Sequence, residues 1–131
     1  MKETALWRRL DPELSKVGKF QKISDKFTGG IPDVLGCVTR GVALELKELK
    51  GVRVIRTKFR PGQLDWLGDW ELAGGLSLIV ATHRLTWYAF PVSAGEQLES
   101  GVSDLEDLAL WTHRGGKEAP RNFCDWMKSV L

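Results

Sequence analysis

Residues 27–51, FTGGIPDVLGCVTRGVALELKELKG, decide how the chain is read. Asp33 directly follows a proline, and Glu45 stands twelve positions later, two before Lys47. Thr28-Gly29-Gly30-Ile31-Pro32 has the composition of a turn. DVLGCVT (33–39) then reads as a strand and GVALELKEL (41–49) as another, with Arg40-Gly41 marking the hairpin between them. Side chains alternate across a strand, so Ala43, Glu45 and Lys47 share one face and Val42, Leu44 and Leu46 the other. Asp33, Leu35 and Cys37 likewise share a face of the first strand.

A carboxylate and an ammonium inside an apolar run cost free energy unless they are paired or liganded. The hairpin brings Asp33 to the end where Glu45 and Lys47 leave the second strand. Two converging hard oxygen ligands suit Mg²⁺, which takes one or two carboxylates and keeps several waters. Such an ion would orient and acidify a water and neutralise charge on a phosphodiester. Lys47, a compact point charge, would hold the attacking water or the developing pentavalent phosphate.

Outward from this stretch, Leu6, Trp7 and Leu10 lie at helical spacing, and Asp11-Pro12 predicts a helix restart running to Val17, ended by Gly18. KFQKIS (19–24) alternates as a half-buried strand. Pro61-Gly62 opens a helix with Gln63, Trp66, Leu67 and Trp70 on one side, stopped by Gly74-Gly75. LSLIVAT (76–82) is a buried strand, and LTWYAFPV (85–92) a further strand reached through a short turn. After Pro91 the pattern weakens, and DLEDLALW (104–111) and PRNFCDWMKSVL (120–131) read as short helices. The expected order is α-β-β-β-α-β-β-α, an α+β class with a central mixed sheet flanked by helices.

The 131 residues, 43% hydrophobic and 27% charged, fit one soluble domain with a core of its own. No apolar run approaches membrane-spanning length, and the charged N-terminal residues are unlike a signal peptide. Cys37 and Cys124 make neither a disulfide framework nor a zinc site, so they read as packed thiols in a reducing, cytoplasmic compartment. Net charge is only +2, yet Lys47, Lys50, Arg53, Arg56, Lys58 and Arg60 face one acid, Glu48, between positions 47 and 60. From 95 to 107 the balance reverses, with five acids and no base. The basic segment reads either as a local polyanion contact or as a solvated loop.

Gly30-Ile31-Pro32-Asp33-Val34-Leu35, Glu45-Leu46-Lys47 and Gln63-Leu64-Asp65-Trp66-Leu67 together resemble the PD-(D/E)xK nuclease superfamily. Within it the chain looks most like virus-type replication-repair nuclease (VRR-NUC) domains and archaeal Holliday-junction resolvases. The resemblance spans about residues 3–90, the core of a single nuclease domain 1–131. It implies a restriction-endonuclease-like core and a Mg²⁺- or Mn²⁺-dependent endodeoxyribonuclease. Carried onto this chain, Asp33, Glu45 and the Leu46 carbonyl bind metal, Lys47 is catalytic, and Gln63 supports the site. Glu3, in the first helix, matches the acid that often completes it.

Ser24 and Asp25 fall where such nucleases carry a loop near the scissile phosphate. The basic segment is longer than the family's connection, which makes Lys50, Arg53, Arg56, Lys58 and Arg60 candidates for DNA backbone contact. Residues 91–131 have no family counterpart and read as a cap on the fold or a subunit interface. The implied partners are branched or duplex DNA and a second copy of the chain, since cutting a junction symmetrically needs two sites. The implied setting is a bacterial or phage-infected cell. Nicking or duplex cutting without branch preference, and DNA binding without catalysis, are the alternatives. Trp66, Trp70 and Trp87 read as packing, and His83 and His113 lack metal-ligand spacing.

Overall fold

A computed structural model describes residues 1–23 and 29–131. The elements are α1 (Glu3–Val17), β1 (Lys19–Lys22), β2 (Val34–Cys37), β3 (Gly41–Glu48), α2 (Gln63–Leu72), β4 (Leu76–His83) and β5 (Thr86–Phe90). A 3₁₀ turn (Val92–Ala94), α3 (Gly95–Ser100), α4 (Leu105–Leu108), β6 (Trp111–Arg114) and α5 (Ala119–Val130) follow. The six strands form one sheet in chain order. Neighbours are antiparallel except β3 and β4, which run parallel because α2 carries the chain back across the sheet. This is the mixed, helix-flanked α+β sheet expected from the sequence.

Strand alternation sorts the core onto two faces. Val42, Leu44 and Leu46 of β3 pack with Leu6, Leu10 and Leu14 of α1 and with Phe123 and Met127 of α5. Ala43 of β3 packs on the opposite face with Leu67 of α2 and Leu98 of α3. Glu45 and Lys47 therefore point to the α2 side. Trp87 is fully packed, with the Arg9 guanidinium 5.2 Å from its ring centroid, and Trp66 and Trp70 stack 5.2 Å apart.

Four expectations need correction. Helix α1 runs unbroken through Asp11-Pro12. Leu6, Leu10 and Leu14 are all fully buried on one stripe, and that packing outweighs the one backbone hydrogen bond Pro12 cannot make. The chain contains a sixth strand where a helix was expected to end. Trp111 opens β6 because its ring meets Phe123 and Trp126 and its indole N–H donates to Asn122 Oδ1 at 2.8 Å. The acidic segment also holds a short helix, α3, that its weak pattern did not announce. Cys37 is exposed rather than packed, at the end of β2, whereas Cys124 is buried and its thiol is pushed up to about 12 by that burial.

Residues 91–131 cap the fold: β6 extends the sheet, α5 lies on α1, and α3 covers the other face. Among the described residues, no helix is long and apolar enough to cross a membrane.

Candidate active site

The β2–β3 register pairs Val34 with Leu44, which sets Asp33 opposite Glu45. The Asp33 N–H donates to Glu45 Oε1 at 3.2 Å, and Asp33 Oδ2 accepts from the Leu46 N–H at 2.7 Å. The first acid is therefore locked onto the backbone of the Glu-Leu-Lys stretch. The turn before it is fixed from the other side. Gly30 has φ +92, and a Cβ there would meet the Gly62 carbonyl oxygen at 2.8 Å, so this turn sits against the start of α2. Arg60 Nη2 reaches the Ile31 carbonyl at 3.3 Å and strengthens that docking.

Glu45 is wholly inaccessible to solvent and Lys47 is 8% exposed. Lys47 Nζ lies 3.9 Å from Glu45 Oε2 and 5.0 Å from the centroid of the Phe59 ring. That same Oε2 is buried with no hydrogen-bond partner among the described residues. Burial raises the Glu45 carboxyl to about 9; hydrogen bonding to Asp33 and its negative charge add to the rise, and Lys47 acts against it. At neutral pH the site thus holds a proton that a divalent cation would displace.

The orphaned oxygen, the adjoining carboxylate and the nearby Leu46 peptide fit a hard cation. Among the described residues no three His, Cys, Asp or Glu side chains gather into a metal cluster. A cation here would draw on two carboxylates, backbone oxygen and water, the habit of Mg²⁺. Glu3 stands outside the pair but within its field. Partial desolvation raises its carboxyl, Lys47 pulls it down, and the charges of Asp33 and Glu48 push it up.

Gln63 is 1% exposed, and its Oε1 accepts from the Arg60 N–H at 2.8 Å, which ties the approach to α2. Among the described residues it makes no hydrogen bond to Asp33, Glu45 or Lys47. Lys50, Arg53, Arg56, Lys58 and Arg60 are all exposed, and of these only Lys50 has an ion-pair partner among the described residues, Glu48 at 3.9 Å. Ser24 and Asp25 lie outside the described residues. His83 Nε2 meets the Gly51 carbonyl at 2.8 Å, and His113 stacks on Trp111, so neither joins the site. Phe59, which flanks Lys47, was not anticipated; an aromatic between Lys58 and Arg60 was its only trace in the sequence.

The unusual Glu45 carboxyl has a measurable consequence. Its affinity for a proton is higher folded (about 9) than at the ordinary carboxyl value of 4.5. The folded state thus binds more protons in that window, so this contribution to stability is full below about pH 4.5 and is lost as pH rises through about 9. In metal-free buffer, Glu45→Gln should show a shallower fall in Tm across that window than wild type. Saturating Mg²⁺ should flatten the wild-type curve and leave the variant's unchanged; parallel curves in both conditions would contradict it.

The six-stranded mixed sheet with helices on both faces is an α+β fold. The chain is similar in structure to Hjc of Archaeoglobus fulgidus, a Holliday junction resolvase from an archaeal hyperthermophile, with a TM-score of 0.51 over 82% of this chain and 95% of that one. Their sequences are 17% identical, and the likeness is one of fold. No protein-family model and no curated protein sequence matches the chain.

Proposed function

We propose that this chain is a metal-dependent DNA endonuclease of the PD-(D/E)xK superfamily, acting on branched DNA. The observation that carries the reading is the buried Glu45 Oε2, without a hydrogen-bond partner among the described residues, between Asp33 and Lys47 on a fold similar to that of a Holliday junction resolvase. Asp33, Glu45 and the Leu46 carbonyl would hold Mg²⁺ or Mn²⁺, which when bound lowers the pKa of water and offsets phosphate charge. Lys47 orients the attacking water and stabilises negative charge as the water oxygen bonds to phosphorus and the bond to the leaving sugar oxygen breaks. Phe59 and the Glu45 carboxylate hold the ammonium in place. Glu3 would complete the metal site from α1, and Gln63 keeps the start of α2 in register with the turn before Asp33.

Lys50, Arg53, Arg56, Lys58 and Arg60 contact DNA phosphates, a role the family resemblance also gives Ser24. The whole of 1–131 acts as one nuclease domain. Two copies related by a two-fold axis would supply the two cuts a four-way junction requires. A VRR-NUC-like enzyme of a phage or its bacterial host, working in the cytoplasm in recombination or repair, fits this activity.

The test incubates the protein with labelled four-way junction, flap, single-stranded and linear duplex DNA, with and without Mg²⁺ or Mn²⁺. Preferential, metal-dependent cutting of the junction is expected. Equal cutting of every substrate would leave a nuclease without branch preference. Binding with no cutting under either metal would leave a DNA-binding protein that has kept the fold only.

A further inference from the structure

The basic segment after Lys47 is a braced finger. Lys50 and Arg56 exchange two backbone hydrogen bonds, at 3.0 and 2.9 Å, and close a loop of residues 51–55. Ile55 and Val102 exchange two more at 2.8 Å, and the Thr57 N–H donates to the Leu98 carbonyl at 3.0 Å. His83 holds the Gly51 carbonyl from the sheet side at 2.8 Å. Gly51 has φ +120, and a Cβ there would collide with the Val54 carbonyl, so the loop's bend depends on glycine.

At the tip, Val52 is 75% and Val54 49% exposed, on either side of the exposed Arg53. A loop that only follows phosphates has no use for two valines at its apex. Single exposed apolar residues are ordinary on a protein surface. Two of them on a braced, basic loop that follows directly on the end of β3 at Glu48, one residue after Lys47, call for an occupant that is both apolar and anionic. Opened base pairs between phosphates meet both requirements, and proteins that bend or open duplexes insert apolar side chains between bases while cations hold the flanking backbone. The bracing matters because a wedge already ordered before binding avoids much of the entropic cost of insertion.

We propose that Val52, with Val54, is a wedge that enters the unstacked centre of a DNA branch while Arg53 and Arg56 hold the adjoining phosphates. It rests on the nuclease reading above and adds how a branch is distinguished from straight duplex. Val52→Ser is the direct test, because Val52 is the more exposed of the two and Val54 also packs toward Gly101. Binding is measured in EDTA to a four-way junction and to linear duplex of equal length, with 2-aminopurine placed at the branch or mid-arm.

Wild type should raise 2-aminopurine fluorescence at the branch and not mid-arm. Val52→Ser should lose that rise and about ten-fold of junction affinity, the worth of burying one valine side chain, with duplex affinity and Tm unchanged. Arg53→Ala should weaken both DNAs alike and lower the salt slope by about 1. Wild-type junction affinity and fluorescence in Val52→Ser would overturn the wedge alone. Failure of wild type to bind either DNA would overturn the nuclease reading and the wedge with it.

Discussion

Lys47→Ala is expected to lower Mg²⁺-dependent junction cleavage by about 10²- to 10⁴-fold under single-turnover conditions, the range for removing one charge-stabilising or proton-handling group. Lys47 Nζ is the cation 3.9 Å from Glu45 Oε2, and its side chain is almost enclosed. Truncation removes the charge proposed above to stabilise the reacting phosphate. It also takes away the positive charge that draws the Glu45 carboxyl down, so the proton competing with metal is held more tightly. Lys47→Arg should not restore the rate, because a planar fork cannot replace a compact ammonium packed against Phe59. Junction affinity in EDTA should stay near wild type, since phosphate contact is assigned to the finger. An active Lys47→Ala enzyme would remove the assigned mechanism while leaving the fold untouched.

Phe123→Ala should cost about 3–5 kcal/mol in urea unfolding, the range for emptying a packed aromatic site. Phe123 is fully buried under α5, edge-on to Trp111 at 5.4 Å and 6.0 Å from Trp126. It joins the last helix to the last strand and both to the core against α1. Leu85→Ala, at a site 73% exposed, should stay within about 0.5 kcal/mol. A loss below about 1 kcal/mol for Phe123→Ala would mean that α5 does not pack as described, because even partial collapse of such a cavity costs more.

The central part of this architecture was legible because its strands alternate strictly. Val42, Leu44 and Leu46 on one face with Ala43, Glu45 and Lys47 on the other follow from a period of two, and the register then sets Asp33 beside Glu45. The mixed sheet was also expected, and the structure realises it in the parallel β3–β4 pair on either side of α2. Where local signals conflicted with tertiary packing, packing prevailed. Pro12 sits inside α1 because three buried leucines hold the helix across it.

β6 was hidden because a four-residue edge strand carries little periodicity, and Trp111 takes its place through aromatic contacts ten or more residues away. The bracing of the finger was equally hidden. Its partners, Leu98 and Val102, act through backbone groups, which side-chain identity does not announce. Gln63 shows a limit of another kind. Its position on α2 was readable, but its bond to the Arg60 N–H depends on a turn geometry the residue type does not dictate.

The most direct measurement is the rate of four-way junction cleavage as a function of Mg²⁺ concentration, for wild type and Asp33→Asn side by side. Asp33 Oδ2 already accepts from the Leu46 N–H, so the amide keeps its place while losing the charge a cation needs. The predicted result is a wild-type rate that is nil without metal and saturates as Mg²⁺ rises, with Asp33→Asn flat throughout. A wild-type rate that ignores Mg²⁺, or an Asp33→Asn curve that follows wild type, would contradict the account.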